Sequence, residues 1–289
     1  SMPDFFDRAE RSWQLVRASW NVLRSDRELL LLPAASGAAA VALGASFLGL
    51  AFEGGVFERV QGAMVDHIPL SLYAWIFIWY IVQYFIVFFF NTALVAAALD
   101  RLNGGQPTLR DALALAASRT GQIFGYAVIS ATVGILLHAL SERLGIVGRI
   151  IEGVVGVAWT AATFLVVPVL VVEDVGPVEA IRRSASLLRR SWGENLIGNG
   201  GISFAMSCAC GAFGLVGIGG GTIAMQAGNE PLSVLLYAVA FVGILATLLV
   251  GSALTAIYTA SLYCYAAFGE PPRGFDQNLI RGAFVDRKS

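Results

Sequence analysis

Residues that could carry catalysis or bind a metal are few in this sequence. It holds two histidines and a single lysine, Lys288, so a GxxxxGK(S/T) phosphate loop does not occur, nor do HExxH and GxSxG. Cys208 and Cys210 have no further metal ligands near them in sequence. The pattern predicts no metal site and no cofactor, and it argues against an enzyme while leaving open one that acts on lipid inside a membrane.

Four polar side chains stand inside or beside long apolar runs, and hydrocarbon makes such groups costly enough to be candidates for function. Gln83 and Asn91 share one run and either hydrogen-bond between helices or line a pore. His138 and Glu152 flank a short charged connection, so an antiparallel helical hairpin would bring them to similar depth. They form either a proton or cation site, together with Arg149, or a pair at the membrane surface.

The composition indicates whether these residues lie in a soluble protein or in a membrane protein. The chain of 289 residues is 57% hydrophobic and 13% charged, with a mean hydropathy of +0.71. Soluble proteins are about 45–50% apolar and about 25% charged. The sequence therefore argues against a soluble enzyme, a disordered protein and a nucleic-acid binder, and it predicts a membrane protein.

Six apolar stretches reach the roughly 20 residues that a helix needs to cross a bilayer. They are residues 29–52, 70–99, 120–140, 150–172, 196–225 and 233–268. The predicted fold is an all-α, polytopic membrane bundle occupying the whole chain, 1–289, as one domain. The last stretch is longer than the bilayer needs, so its helix should protrude, tilt or break near Gly243 or Gly251.

Basic residues mark one side of this bundle. Sixteen of the nineteen lie in the N-terminal segment, in the connections 100–119 and 173–195, and in the tail 269–289. By the positive-inside rule these segments, and both termini, lie in the cytoplasm. The excess of arginine over lysine, with abundant Ala, Gly and Val, favours a prokaryotic source and hence the cytoplasmic (inner) membrane.

Three cytoplasmic segments show the helical spacing of an amphipathic helix: residues 5–28, 108–118 and 177–192. The first and third repeat each other at an offset of 172 residues, which predicts three units, each an amphipathic helix followed by two spans. We expect these helices either to contact anionic headgroups or to dock a cytoplasmic partner. The residues assigned to this contact are Arg11, Arg17, Trp20, Arg182, Arg183, Arg189, Arg190 and Trp192.

Glycine and proline single out two spans. Gly201, Gly217 and Gly221 belong to a glycine-rich fifth span, which is either a tightly packed central helix or an interrupted helix that exposes backbone to a substrate. Its small-residue faces also suit a homo-oligomer. Pro168 is expected to kink the fourth span.

Several short runs resemble the pattern of an uncharacterised prokaryotic family of six-span membrane proteins, catalogued as a domain of unknown function. They are EDVGPVEAIRRS at 173–184, SWGEN at 191–195, RSW at 11–13 and ELLLLP at 28–33. The repeated layout is more distantly similar to the membrane domain of glycerophosphodiester phosphodiesterases. The resemblance implies the topology and no activity, since the phosphodiesterase catalytic domain has no counterpart in this sequence.

Two functions follow from these patterns. The first is a non-enzymatic transporter or channel for a small solute or lipid, using the glycine-rich span and the four polar candidates. The second is a structural or adaptor protein that binds anionic lipid or a cytoplasmic partner through its basic helices.

Overall fold

The computed structural model describes residues 19–21, 23–24, 27–54, 70–190, 203 and 206–269, and the regular structure in these ranges is helical throughout. After a short 3-10 turn, Arg27–Leu30, the helices are α1 Leu31–Glu53, α2 Leu70–Leu102, α3 Leu109–Ser118, α4 Thr120–Thr163, α5 Val166–Val172, α6 Pro177–Arg190, α7 Met206–Gln226 and α8 Glu230–Phe268. The all-α prediction is confirmed for this part of the chain.

Five helical runs are long and apolar enough to cross a membrane. They are Glu28–Glu53, Tyr73–Leu102, Thr120–Val172, Met206–Gln226 and Glu230–Phe268. The predicted spans 120–140 and 150–172 both fall in the third of these runs, so length and composition alone do not confirm six spans.

The helix α4 reverses its direction at Gly145. This residue has φ 57° and ψ −125°, a backbone conformation that glycine adopts without the clash a Cβ would cause. His138 Nδ1 lies 3.9 Å from Glu152 Oε1, although a straight helix would separate these residues by about 21 Å. The connection predicted between residues 140 and 150 is therefore a single non-helical residue between two helical arms.

The chain divides into two compact units. One comprises residues 31–97 and 107–189, and the other comprises 1–30, 98–106 and 190–289. In the unit of residues 31–97 and 107–189, the buried residues of the long helices lie toward one end. Leu94, Ile123 and Leu165 are examples, each at most 1% exposed. Toward the other end, apolar side chains such as Val41 and Ile146, both more than 70% exposed, face outward. Exposed aliphatic surface of this kind is what a lipid-facing helix presents.

The other unit is built on α8, which runs 39 residues without interruption. At the two positions where a break was expected, α8 instead meets α7 closely: a Cβ at Gly243 would lie 2.3 Å from the Phe213 ring, and one at Gly251 would lie 2.9 Å from Met206. The Asn229 side chain caps the start of α8 by accepting from the Leu232 amide at 3.2 Å.

The shortest amphipathic helix, α3, begins as its sequence predicts. Thr108 is its N-cap and accepts from the Asp111 amide at 3.1 Å. Ala112 and Ala116, one turn apart, are its buried residues.

Candidate functional site

The described structure concentrates its polar contacts where the basic helix α6 meets the break between α4 and α5. The chain leaves α5 at Glu173, turns through Asp174, and starts α6 at Pro177. Asp174 has φ 47°, a left-handed conformation that Asp tolerates better than most residues. Proline suits the first turn of a helix because its missing N–H needs no acceptor there.

A buried hydrogen bond ties α6 to the helix break. α4 ends at Thr163 and α5 starts at Val166, which leaves the Leu165 amide at the beginning of a helix. Ser184 Oγ accepts a hydrogen bond from this amide at 2.9 Å, and both residues are fully buried. Pro168, three residues further on, has no N–H to continue the α-helical hydrogen bonds. Ser184 thus supplies from α6 an acceptor that the interrupted helix lacks.

Two ion pairs hold the same turn from either side. Arg183 Nε donates to both Glu173 carboxylate oxygens, at 3.0 and 3.1 Å. Asp174 pairs with Arg119, and Gln122 donates to it at 3.3 Å. These contacts fix the turn to the start of α4 and to the middle of α6.

A close contact fixes the beginning of α6 as well. A Cβ at Gly125 would lie 2.8 Å from Pro177 Cγ, so the absence of a side chain at this position lets the start of α6 pack directly on α4. With Ser184 holding the middle of the helix, α6 is attached at two points along its length.

The face of α6 that packs on the protein differs from the apolar stripe that helical spacing predicts for this helix, which consists of Val178, Ile181, Ala185, Leu188 and Trp192. The buried residues are Ala180, Ser184, Leu187 and Leu188. The predicted stripe runs beside this face, and it is partly open: Val178 is 53% exposed, and Ile181 and Ala185 are half-buried. α6 therefore has two adjacent apolar faces, one against the protein and one directed away from it.

The described arginines of α6 fall into two classes. Arg183 is paired with Glu173, whereas Arg182 and Arg189 are exposed and have no ion pair within the described part of the chain. At about 100° per residue, Arg182 and Arg189 lie on one line that borders the open apolar stripe. For Arg190 only the backbone is described, at the end of α6.

Most of the other residues predicted to contact headgroups lie outside the part of the chain that the structure describes. Arg11, Arg17 and Trp192 lie outside the described residues, as does Gly201 of the fifth span. Trp20 is described and is 44% exposed.

The four polar candidates are not gathered into one site. Gln83 Nε2 donates to the Ala40 carbonyl at 3.1 Å and so links α2 to α1, whereas Asn91, about two turns further along α2, is half-buried. His138 Nε2 lies 3.5 Å from Glu142 Oε1 in addition to its contact with Glu152. His138 is 70% exposed, so this group forms an open polar patch near the Gly145 turn. Among the described residues, no group of three His, Cys, Asp or Glu side chains is placed to hold a metal ion.

The glycine-rich helix α7 packs on α8 along one face. A Cβ at Gly217 would lie 2.2 Å from Ala240 Cβ, and one at Gly221 would lie 2.6 Å from the Tyr237 ring. The six residues Gly214–Gly219 form a π-helical segment. The backbone is thus widened there without being broken, and α7 is not surrounded on all sides, since Leu215 is 78% exposed.

Sequence reasoning missed the residues that attach α6. Glu173, Asp174 and Ser184 stand in the run that carried the family resemblance, but no role was assigned to them, and Arg119 was counted only as a basic residue. An acidic pair three and four residues before a helix-starting proline, with Arg and Ser six and seven residues after that proline, is the signal that could have found them.

Five helical runs that are long and apolar enough to cross a bilayer point to a helical membrane protein. More narrowly, the chain belongs to the family of unknown function DUF6159, whose model matches residues 70–273. The membership agrees with the resemblance to an uncharacterised family. No curated protein matches the chain, and the likeness to phosphodiesterase membrane domains stays a prediction.

Proposed function

We propose that this protein is a six-span protein of the prokaryotic cytoplasmic membrane that binds anionic lipid at the cytoplasmic surface through α6. One observation carries the proposal: α6 is fixed to the protein by one face and directs outward an apolar stripe bordered by Arg182 and Arg189, which are exposed and have no ion pair among the described residues. A helix with this arrangement lies at the boundary between headgroups and acyl chains.

The distance between α6 and the Gly145 turn supports the place of α6 at this boundary. Its two attachment points on α4 and α5 are Gly125 and Leu165. Residues 125–144 and 146–165 each number twenty, so each arm extends about 30 Å from α6 to the turn at Gly145. This length equals the hydrocarbon thickness of a bilayer. Each arm is then one span, which supports six spans, with α6 at one surface and the turn at the other.

The distribution of basic residues supports placing α6 on the cytoplasmic side. Arg110 and Arg119 lie just before α4 begins, at the end of that helix where α6 packs, whereas Arg143 and Arg149 lie beside the turn at Gly145, close in sequence to Glu142 and Glu152. The positive-inside rule then puts α6, and both termini, in the cytoplasm.

The orientation of α6 around its own axis separates the roles of its arginines. With the buried face against the protein, the open stripe of Val178, Ile181 and Ala185 is turned by about 90° toward the membrane interior. Arg182 and Arg189 then extend sideways among the headgroups, whereas Arg183 lies on the far side of the helix with Glu173. We infer that the first two contact lipid and that the third positions the helix.

Lipid binding has more support than transport. A transport path needs polar groups that converge, but Gln83 is engaged with α1. The Phe88 ring, one turn before Asn91 on α2, contacts the Tyr126 ring on α4, and Tyr126 is about 18 Å along α4 from His138. No separate set of charged residues favours the docking of a cytoplasmic partner on α6. The basic residues that such a partner would contact are the same ones that border the lipid-facing stripe.

The test measures the relative association of spin-labelled phosphatidylglycerol and phosphatidylcholine with the full chain in reconstituted vesicles. The wild type should prefer phosphatidylglycerol, and the double variant R182Q/R189Q should lose most of that preference. A basic residue near a lipid surface contributes about 1 kcal/mol, or about fivefold per arginine.

The matched control is R143Q/R149Q, which removes the same number of charges near the Gly145 turn. These arginines are balanced by Glu142 and Glu152 in the same patch, so the control should keep the preference of the wild type. Equal losses in both double variants would mean that only net charge matters and would reject the role of α6. No preference in the wild type would reject lipid binding altogether.

A further inference from the structure

The exposed arginines Arg182 and Arg189 of α6 are spaced for a particular kind of headgroup. Arg182 and Arg189 are seven residues apart, which places them about 10 Å apart along the helix axis and within about 20° of each other around it. Both side chains lean toward the start of the helix, as helical side chains do. Their guanidinium groups therefore extend from two neighbouring turns on the same side of the helix.

Each guanidinium group offers a planar pair of donors that matches the oxygens of one phosphate. Two such groups at a fixed spacing match two phosphates that a short linker holds together. A lipid whose two phosphates are joined by glycerol holds them a short, bounded distance apart, within reach of two long arginine side chains on one side of a helix, and it carries four acyl chains. The open apolar stripe from Val178 to Ala185 lies alongside Arg182 and gives these chains an extended surface.

A hydroxyl group lies between the two arginines. Ser186 is exposed, one turn after Arg182 and just under one turn before Arg189. Its proton is engaged with the Arg183 carbonyl at 2.8 Å, so its oxygen is left as an acceptor. The glycerol that links two phosphates carries one free hydroxyl, which can donate to it.

The attachment of α6 fixes which way this pair of arginines faces in the folded protein. Ser184, on the opposite side of the helix, is held by the Leu165 amide, and Pro177 rests on Gly125. Because the helix is already oriented, binding has to overcome the entropy of ordering the two arginine side chains but not that of orienting the helix. A second phosphate on the same molecule then binds at a high effective concentration.

We propose that α6 is a selective site for a lipid with two glycerol-linked phosphates, recognised by Arg182 and Arg189 together. This rests on the proposed function, which requires only a preference for anionic lipid.

Cardiolipin is the probe, and it is compared with phosphatidylglycerol at twice the mole fraction, so that the amount of phosphate is equal. In reconstituted vesicles the wild type should bind spin-labelled cardiolipin several-fold more strongly than phosphatidylglycerol. R182Q and R189Q, each alone, should bring cardiolipin down to the level of phosphatidylglycerol, because each leaves only one guanidinium. Both should retain part of the preference for phosphatidylglycerol over phosphatidylcholine, and S186A should weaken cardiolipin alone.

The outcomes separate this inference from the function on which it rests. A preference for anionic lipid with no advantage for cardiolipin overturns the two-phosphate site and keeps the proposed function. An advantage for cardiolipin that survives both single variants assigns the site to other residues and also overturns the inference. Equal association of all three lipids overturns both.

Discussion

Replacement of Ser184 by alanine should loosen the break between α4 and α5. The Ser184 hydroxyl accepts from the Leu165 amide at 2.9 Å, and neither residue has measurable exposure. Alanine has no acceptor, and water cannot replace one at a buried position. An unsatisfied buried donor costs about 1–3 kcal/mol. The expected effect is a local destabilisation of this size, centred on the start of α5.

Hydrogen–deuterium exchange of the reconstituted protein measures this effect directly. Peptides that cover residues 160–170 should exchange about 5 to 150 times faster in S184A than in the wild type, because each 1.4 kcal/mol is a factor of ten. The control is S186A, which removes an exposed hydroxyl that bonds only to the Arg183 carbonyl of its own helix. Its exchange in this region should match the wild type.

Two results would refute the reasoning. If S184A exchanges like the wild type at residues 160–170, the hydroxyl does not stabilise the break. If S184A and S186A speed exchange equally, the effect belongs to the helix propensity of α6 and not to the bond across to Leu165.

Further substitutions test how the spans are held together, each by unfolding in mixed micelles. G217A should destabilise the protein by about 1–3 kcal/mol because its Cβ would overlap α8. A Cβ at Gly219 would have no neighbouring atom within 4 Å, so G219A should be neutral or stabilising. Equal effects would show that α7 does not pack on α8 through Gly217. G145A should cost about 1–3 kcal/mol because a Cβ is strained at φ 57°, and G153A, on the helical part of the same hairpin, should not share that loss. Gln83→Leu should cost about 1 kcal/mol, the usual value of a hydrogen bond between membrane helices; an unchanged stability would free Gln83 for another role.

The long helices were predictable because a bilayer imposes one strong requirement, a run of apolar residues of sufficient length. The predicted stretch 29–52 corresponds to Leu31–Glu53 and its preceding turn, and 233–268 falls within Glu230–Phe268. The turn at Gly145 was not predictable in the same way. Hydropathy identifies where charged residues interrupt an apolar span. Both arms nevertheless stay helical through the charged residues between the two spans, and the backbone conformation of Gly145 alone reverses the chain.

The attachment of α6 escaped prediction for a different reason. Helical periodicity sorts residues by polarity and therefore placed all four arginines of this helix on one functional face. The structure instead buries a polar residue, Ser184, because its partner is a backbone amide freed by an irregularity nineteen residues earlier. It also pairs Arg183 with Glu173 across the turn. Such pairings depend on where a neighbouring helix is interrupted, and this information is not contained in the periodicity of α6 itself.

These attachments also explain how one short helix can be basic and still remain close to apolar spans. The charges of Arg183 and Arg119 are each matched by a carboxylate of the turn before α6, so they add little net charge where the helix meets the protein. No carboxylate of the described residues pairs with Arg182 or Arg189, which are confined to the side that faces away from the spans, where phosphates of the membrane can neutralise them. A free amphipathic helix would find this orientation only on contact with lipid. Because the ion pairs and the Ser184 bond fix the orientation in the folded protein, the selectivity of α6 for lipid should depend on its spacing of charges and not only on their number.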